Sequence, residues 1–500
     1  MTSAVVGSPR HQDGSDSPAT DVASRWRSPV SWLIVVAVLH AASPLVLLGA
    51  HWWFGIDETV YLSQINAHVP AGGFSAPRAR GTTFVAAPVT MLTTSVAAVR
   101  VWVAVLSGLG LFVAFHPWLR LRGGTAVPLA ALMFATLWPV IFYGFAVMPN
   151  EWVAFAALAA TGYLLRFITG GQRRYLVGVG VAMALVALLR PSDAAYAGFA
   201  LVACCLFLRV SKRRRLAAAA AVAFGALAGV SEWVVEAITS YGGVAARIHA
   251  AQGENGGGGL HFAGAAQARA LAGPVLCRGT CHVSAGIAYQ LWWIVLGSLV
   301  VVAIVYGWRQ RRLTLELVPV VVGLAMATQY VFAVTYAAPR FLIPAYALLS
   351  LPCASGALAV VHRVRAGAPR LALGVGLTGA LVANTALQVH VITSFIAPSG
   401  RSTGVEIQAD AKRLHQLGVR GSCLVLGSPG DNQDLAYATG CTNVPRAVPL
   451  VHEAAQDGTH VVWLNHIPPP KAYGLRWRPA QLPGRTPGAP VHVYLSAGAD

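Results

Sequence analysis

Long apolar runs separated by short polar stretches organise this chain. The first runs from Pro29 to Leu48, and others begin near Val101, Thr125, Trp152, Tyr175, Ala194, Leu216, Gly286, Leu315, Leu342 and Leu371. Each approaches the roughly 20 residues that carry an α-helix across a bilayer. The pattern predicts an α-helical polytopic membrane protein of about 11 transmembrane helices. A less apolar segment, Thr82 to Ala98, precedes the second span and predicts a juxtamembrane helix beside Arg100.

The pattern changes near Ala397. Glu406 to Leu417 has helical spacing, and short β-like runs follow at Ser422–Leu426, His460–Asn465 and Val491–Leu495. A helix is expected at Leu450–Ala455. These elements predict a small α/β domain over residues 397–500, after a transmembrane domain over 29–396 with long external loops at 51–100 and 239–285. Residues 1–28, rich in Ser, Asp and Pro, predict a disordered cytoplasmic tail. The first apolar run lacks a small-residue cleavage site and reads as a retained span.

Composition supports lipid as the main solvent. Only 11% of the 500 residues are charged, 56% are hydrophobic, and mean hydropathy is +0.60. Soluble domains carry about 25% charged residues. The net charge of +18 raises nucleic acid as a partner. The basic residues cluster between apolar runs, however, and no nucleic-acid-binding motif occurs, so none is expected.

The clusters set an orientation. Arg25 and Arg27, Arg120 and Arg122, Arg173 and Arg174, Lys212 to Arg215, Arg309 to Arg312, and Arg363 to Arg370 fall at alternate junctions. The positive-inside rule makes these junctions and the N-terminus cytoplasmic. An odd span count then places the C-terminal domain outside, in the cell membrane's extracytoplasmic space. Of seven cysteines, Cys204, Cys205 and Cys353 lie in spans; the other four lie in external segments, where disulfides persist. Cys277 with Cys281 and Cys423 with Cys441 are the expected pairs. The alternative for the first pair is a metal site with His282. The glycine tract at Gly253–Leu260 lacks the context of a phosphate-binding loop.

The external face gathers the residues able to do chemistry. Asp57 and Glu58 follow the first span, with Tyr61 one turn on and Arg80 later in the same loop. Carboxylates kept near a bilayer usually have a task; the plainer reading is first-turn helix charge. Asn150 and Glu151 follow Pro149. Arg190 and Pro191 precede Ser192 and Asp193, which also suit a helix N-cap. Tyr336 and Arg340 precede a later span, where Arg340 also suits interfacial snorkelling. Glu232 and Glu236 lie one turn apart near an outer span end and fit a cavity or, better, a structural role. Acids and arginines on one face suit a polar, anionic ligand.

In order along the chain, Asp57-Glu58-x-x-Tyr61, Ala79-Arg80-Gly81 with Pro88, Pro149-Asn150-Glu151, Arg190-Pro191 and Pro339-Arg340-Phe341 with Pro344 resemble the GT-C superfamily of membrane glycosyltransferases. The similarity is nearest to protein mannosyltransferases, aminoarabinose transferases and galacturonosyltransferase-like bacterial proteins. It covers the order of elements across most of the chain. Where those proteins have Lys-Pro-Pro-Leu or His-Pro-Pro-Leu, this chain has Phe84-Val85-Ala86-Ala87-Pro88-Val89.

The resemblance implies a GT-C-like bundle and a polyprenyl-phosphate-linked sugar donor. It implies an envelope glycan, lipid or protein acceptor, and Asp57 as general base, with Glu58 as the second catalytic candidate. Arg340 and Arg190 would hold the donor phosphate. Tyr61, Arg80, Asn150, Glu151, Asp193 and Tyr336 would line the site. A divalent cation is left open, with Glu58 or Glu151 to hold it; no His and carboxylate spacing names metal ligands. The competing reading is a transporter or flippase of lipid-linked sugars. Such proteins usually carry inverted repeats, which this sequence does not show by eye.

Overall fold

The computed structural model describes residues 28–257, 259–278, 288–427, 432–444, 459–464, 468–486 and 489–496, with single positions at 446, 451, 453 and 457. The N-terminal tail, Cys281, and most of the helix expected at Leu450–Ala455 lie outside the described residues. Helices come first along the chain. They are α1 (Pro29–Leu47), α2 (Ile56–Ser63), α3 (Gly81–Thr90), α4 (Val96–Phe115), α5 (Ala126–Ala135) and α6 (Trp138–Tyr143), then α7 (Pro149–Gly170), α8 (Arg174–Leu189) and α9 (Pro191–Phe207). Next come α10 (Lys212–Tyr241), α11 (Val244–Glu254), α12 (Gly264–Ala270), α13 (Ala288–Arg309), α14 (Leu313–Phe332), α15 (Ile343–Arg363), α16 (Ala368–Val391) and α17 (Ala397–Gln416).

Among the described residues, eight helical segments are long and apolar enough to cross a membrane, and α5, α8 and α9 are shorter apolar helices. Together they match the eleven apolar runs one for one. The α3 helix sits where the juxtamembrane helix was expected. At the centre, α7 and α15 bury most of their residues, while α1, α10, α13 and α16 turn most of their surface outward, as lipid-facing helices do. The basic junctions fall at one end of the spans and Asp57, Glu151, Arg190 and Arg340 at the other, because successive helices reverse direction.

Lipid supplies no hydrophobic drive between spans, so close backbone approach matters more. Gly225 and Gly229, four apart on α10, meet the backbone of Gly180 and Ala184 on α8. A side chain on either glycine would overlap a carbonyl oxygen of α8. Gly108 of α4 likewise faces the Ala37 carbonyl of α1, 2.7 Å from where a Cβ would stand.

The α16 helix continues through a π-helical turn, Ile392–Ile396, into α17, so a single helical run leaves the bundle and enters the C-terminal unit. That unit adds β1 (Cys423–Leu426), α18 (Gln433–Thr439), β2 (Thr442–Val444), β3 (His460–Leu464), β4 (Trp477–Thr486) and β5 (Ala489–Ser496). The sheet order is β2-β1-β3-β5-β4; the first three strands are parallel and β5 and β4 run antiparallel to their neighbours. Pro479 and Pro483 fall on β4, an edge strand, where a missing N–H costs least. Cys423 and Cys441 form the expected disulfide, and Cys277 is disulfide-bonded.

Two contacts seat this unit on the first external loop. Gly400 and Gly404 of α17 leave room for the Trp52 and Trp53 side chains. Tyr437 of α18 accepts a hydrogen bond from Asn66 Nδ2 at 3.1 Å and packs edge-on against Phe54.

The α8–α10 contact makes a prediction. Gly229→Val should force the two backbones apart and cost about 1–3 kcal/mol or more. Gly374→Ala, where nothing lies within 4 Å of the added Cβ, should be neutral or stabilising. Thermal unfolding of the two purified variants checks this; equal melting temperatures would remove the glycine contact as the reason for the close approach.

Candidate active site

The first external loop positions its two acids differently. Gly55 caps α2, and its N–H donates to Glu58 Oε2 at 2.8 Å, the half of a capping box that a glycine can make. Adjacent residues on a helix project about 100° apart. Glu58 therefore turns into the bundle while Asp57 turns toward Arg340.

Glu58 is fully engaged by structure. Arg100, completely buried, donates to both its oxygens, at 2.5 and 2.9 Å. With the Gly55 N–H bond, the Val147 N–H at 2.8 Å makes a fourth. The same guanidinium donates to the carbonyls of Trp52, Trp53 and Phe145 and stacks near Phe54 and Phe145. Glu151 is also occupied. Its oxygens accept from His40 Nε2 and Ser107 Oγ, each at 2.9 Å, inside the bundle and away from Asp57's partners. The Asn150 side chain is buried with no hydrogen-bond partner among the described residues.

Asp57 lies at the centre of a cationic cluster. Its Oδ1 accepts from Arg78 Nη2 at 2.6 Å and its Oδ2 from Arg340 Nη2 at 3.3 Å. The side chain keeps 39% of its surface accessible, so it can be reached from outside the bundle. Burial opposes its charge, but the guanidiniums of Arg340 and Arg78, with Arg190 further off, outweigh that and hold the carboxyl below the usual carboxylate range.

The arginines arrive from three different breaks in the helical pattern. Arg340 stands in a single 3-10 turn, Pro339–Leu342, whose approach is pinned by paired backbone bonds between Cys277 and Ala337. It also donates to the Tyr143 hydroxyl at 3.3 Å. Arg190 occupies the junction of α8 and α9 in extended conformation, as a residue before proline prefers. It faces Asp193 at 3.4 Å, and Tyr330 donates its hydroxyl proton to Asp193 at 2.7 Å. Both guanidiniums lie near the Phe341 ring, 5.6 Å from its centroid for Arg190 and 5.3 Å for Arg340. Tyr336 packs on that same ring and donates to Asn255.

Arg78 is the member that sequence patterning missed. It lies two residues before Arg80 in an irregular stretch, and nothing local distinguishes the two. Arg80 goes elsewhere: it pairs with Glu236, donates to Gln64 and stacks on Phe74. Arg247 pairs with Glu236 as well and donates to the carbonyls of Ala76 and Arg78, bracing the stretch that presents Arg78. Tyr61 sits between Phe74 and Arg78.

The site thus gathers Asp57, Tyr61, Arg190, Asp193, Tyr336 and Arg340, adds Arg78 and Tyr143, and leaves Glu58, Arg80 and Glu151 to separate clusters. Among the described residues no three His, Cys, Asp or Glu side chains stand together to hold a metal ion. With Glu58 and Glu151 occupied and Asp57 between guanidiniums, the residues present suit an anion and do not suit a divalent cation.

The architecture matches known membrane enzymes. ArnT from Cupriavidus metallidurans bound to undecaprenyl phosphate superposes with a TM-score of 0.61 at 14% identity, covering 94% of this chain and 99% of that one. This chain has the GT-C fold. The archaeal oligosaccharyltransferase AglB from Archaeoglobus fulgidus, in complex with an inhibitory peptide and a dolichol-phosphate, shares it with a TM-score of 0.56 at 11% identity, over 87% of this chain and 69% of that one. No protein-family model and no curated protein sequence matches this chain. The GT-C fold is therefore carried by helix order and packing, and the sequence has diverged far beneath it.

The Glu58–Arg100 pair should be structural. Removing one partner of a buried ion pair leaves an unpaired charge and costs about 3–5 kcal/mol. Arg100→Leu and Glu58→Gln should each lower the melting temperature sharply. Unchanged stability in both would show that the pair does not hold the first loop to the bundle.

Proposed function

We propose that this protein is an inverting glycosyltransferase that moves a sugar from a polyprenyl-phosphate donor to a hydroxyl of an extracytoplasmic envelope acceptor. The observation that carries this is the meeting of a partly exposed Asp57 with Arg340. The GT-C fold, shared with an enzyme solved on undecaprenyl phosphate, supports it.

The donor's tail would lie in lipid and its phosphate against Arg340 and Arg190. Five N–H donors on each guanidinium match phosphate oxygens and keep their charge at any working pH. The acceptor oxygen attacks the anomeric carbon from the face opposite the phosphate. The carbon–oxygen bond to phosphate breaks, and the electron pair leaves with the polyprenyl phosphate. The acceptor's proton passes to Asp57 and then to water. The arginines stabilise the charge that gathers on the departing phosphate, so no general acid is needed. Glu58 acts by holding α2 in place, and Asp193 by orienting Arg190.

The N-terminus is cytoplasmic and the sheet unit extracytoplasmic in this reading, as the basic junctions require. Single cysteines at Arg174, Arg214 and Arg365 should resist an impermeant thiol reagent in intact cells, and one at Ser75 should react. Labelling of Arg214→Cys from outside would invert the arrangement.

Asp57→Asn keeps the shape and removes the base. Transfer from a radiolabelled polyprenyl-phosphate sugar should fall about two to four orders of magnitude while the protein stays folded. Arg340→Lys should weaken donor use, since a lysine lacks the fork. Because Asp57 is held below the ordinary carboxylate range, its ionised form persists as pH falls and is lost only below the region where a free aspartate titrates. The kcat/KM profile should therefore stay level from neutral pH down to that region. An acid limb near pH 6, or near wild-type transfer by Asp57→Asn, would assign the base to another group.

A further inference from the structure

Asp57 is held by two guanidiniums in unlike ways. The bond to Arg78 is short, at 2.6 Å, and Arg78 itself is braced through its carbonyl by Arg247. The neighbouring Ala76 N–H is fixed by Glu254, and the Phe74 carbonyl by the Tyr241 hydroxyl. The bond to Arg340 is long, at 3.3 Å, and so is the other Arg340 bond, to Tyr143, also 3.3 Å.

Comparison with the structural arginines sharpens the contrast. Arg100 makes five hydrogen bonds to carboxylate and carbonyl oxygens, and Arg122 bonds Glu316, Ser355 and the carbonyls of Leu315 and Leu351. Arg340 has five N–H donors and, among the described residues, commits two of them, both at long distance. A phosphate oxygen accepting from a guanidinium settles at about 2.7–2.9 Å. It would outcompete a carboxylate held at 3.3 Å, and its negative charge would repel Asp57.

We propose that Asp57 acts as a stand-in anion on Arg340, that the donor phosphate takes Arg340 over on binding, and that Arg78 stays as the positioning residue which keeps the freed carboxylate facing the acceptor. This rests on the transferase reading and adds an order to it. Losing one of its two cations makes Asp57 a stronger base once the donor is seated. The carboxylate oxygen vacated by Arg340, Oδ2, is the one left to accept the proton.

Binding of undecaprenyl phosphate, without sugar, to the purified full-length protein tests this. Asp57→Asn removes the competing anion and should bind the lipid phosphate roughly threefold or more tightly than wild type, although it transfers sugar far more slowly. Asp57→Ala should tighten binding likewise and guards against an effect of the asparagine itself. Arg78→Lys should leave donor KM within about twofold and lower kcat about tenfold, since a lysine keeps the charge and loses the fork that orients Asp57. Equal or weaker lipid-phosphate binding by both folded Asp57 variants would overturn the exchange and leave the transferase reading standing. An Arg78→Lys variant with raised donor KM and unchanged kcat would reverse the division of labour. Absence of binding by folded wild type would remove the lipid-phosphate donor itself, and the exchange with it.

Discussion

The buried pair between Glu58 and Arg100 is the interaction on which the geometry of the site depends. It joins the first external loop to the second span, caps α2, and fixes the carbonyls of Trp52, Trp53 and Phe145 around one guanidinium. Because α2 is anchored through Glu58, its neighbour Asp57 has one direction left to face. A charge pair removed from water stabilises little by itself. Here its effect is to exclude other orientations of the loop.

Arginines in this protein divide by how many of their donors the fold consumes. Arg100, Arg122 and Arg247 are surrounded by carbonyls and carboxylates and serve as internal fasteners. Arg190 and Arg340 lie against the Phe341 ring with few acceptors among the described residues. An aromatic face supports a guanidinium without using up its N–H groups. That leaves charge and hydrogen-bonding capacity which a fold alone has no need to maintain.

The membrane fold was legible because its signal is local. A run of apolar residues long enough to cross lipid identifies itself, and even the short α5, α8 and α9 stood out. The site was only partly legible, because partners are chosen by packing across great separations in sequence. Asp57 and Arg340, expected on one face, touch in the structure, whereas Arg80, expected to line the same site, pairs with Glu236 and Arg78 makes the contact with Asp57. Glu151 reads as an acid lining the site until His40 and Ser107, from two other spans, are seen to enclose it. Arg122 reads as a loop cation, yet it pairs with Glu316. Side chains two residues apart in an irregular stretch carry no periodicity to separate them.

The uninterrupted passage from α16 through the π-helical turn into α17 gives the sheet unit a stiff mast instead of a tether. A helix of twenty residues is about 30 Å long, so one degree of tilt at its foot moves its far end by about half an ångström. Trp52 and Trp53 grip the lower half of this mast at Gly400 and Gly404. The sheet unit is thus geared to the angle of the last span, and any thinning or thickening of the surrounding lipid that alters that angle is passed upward as a displacement.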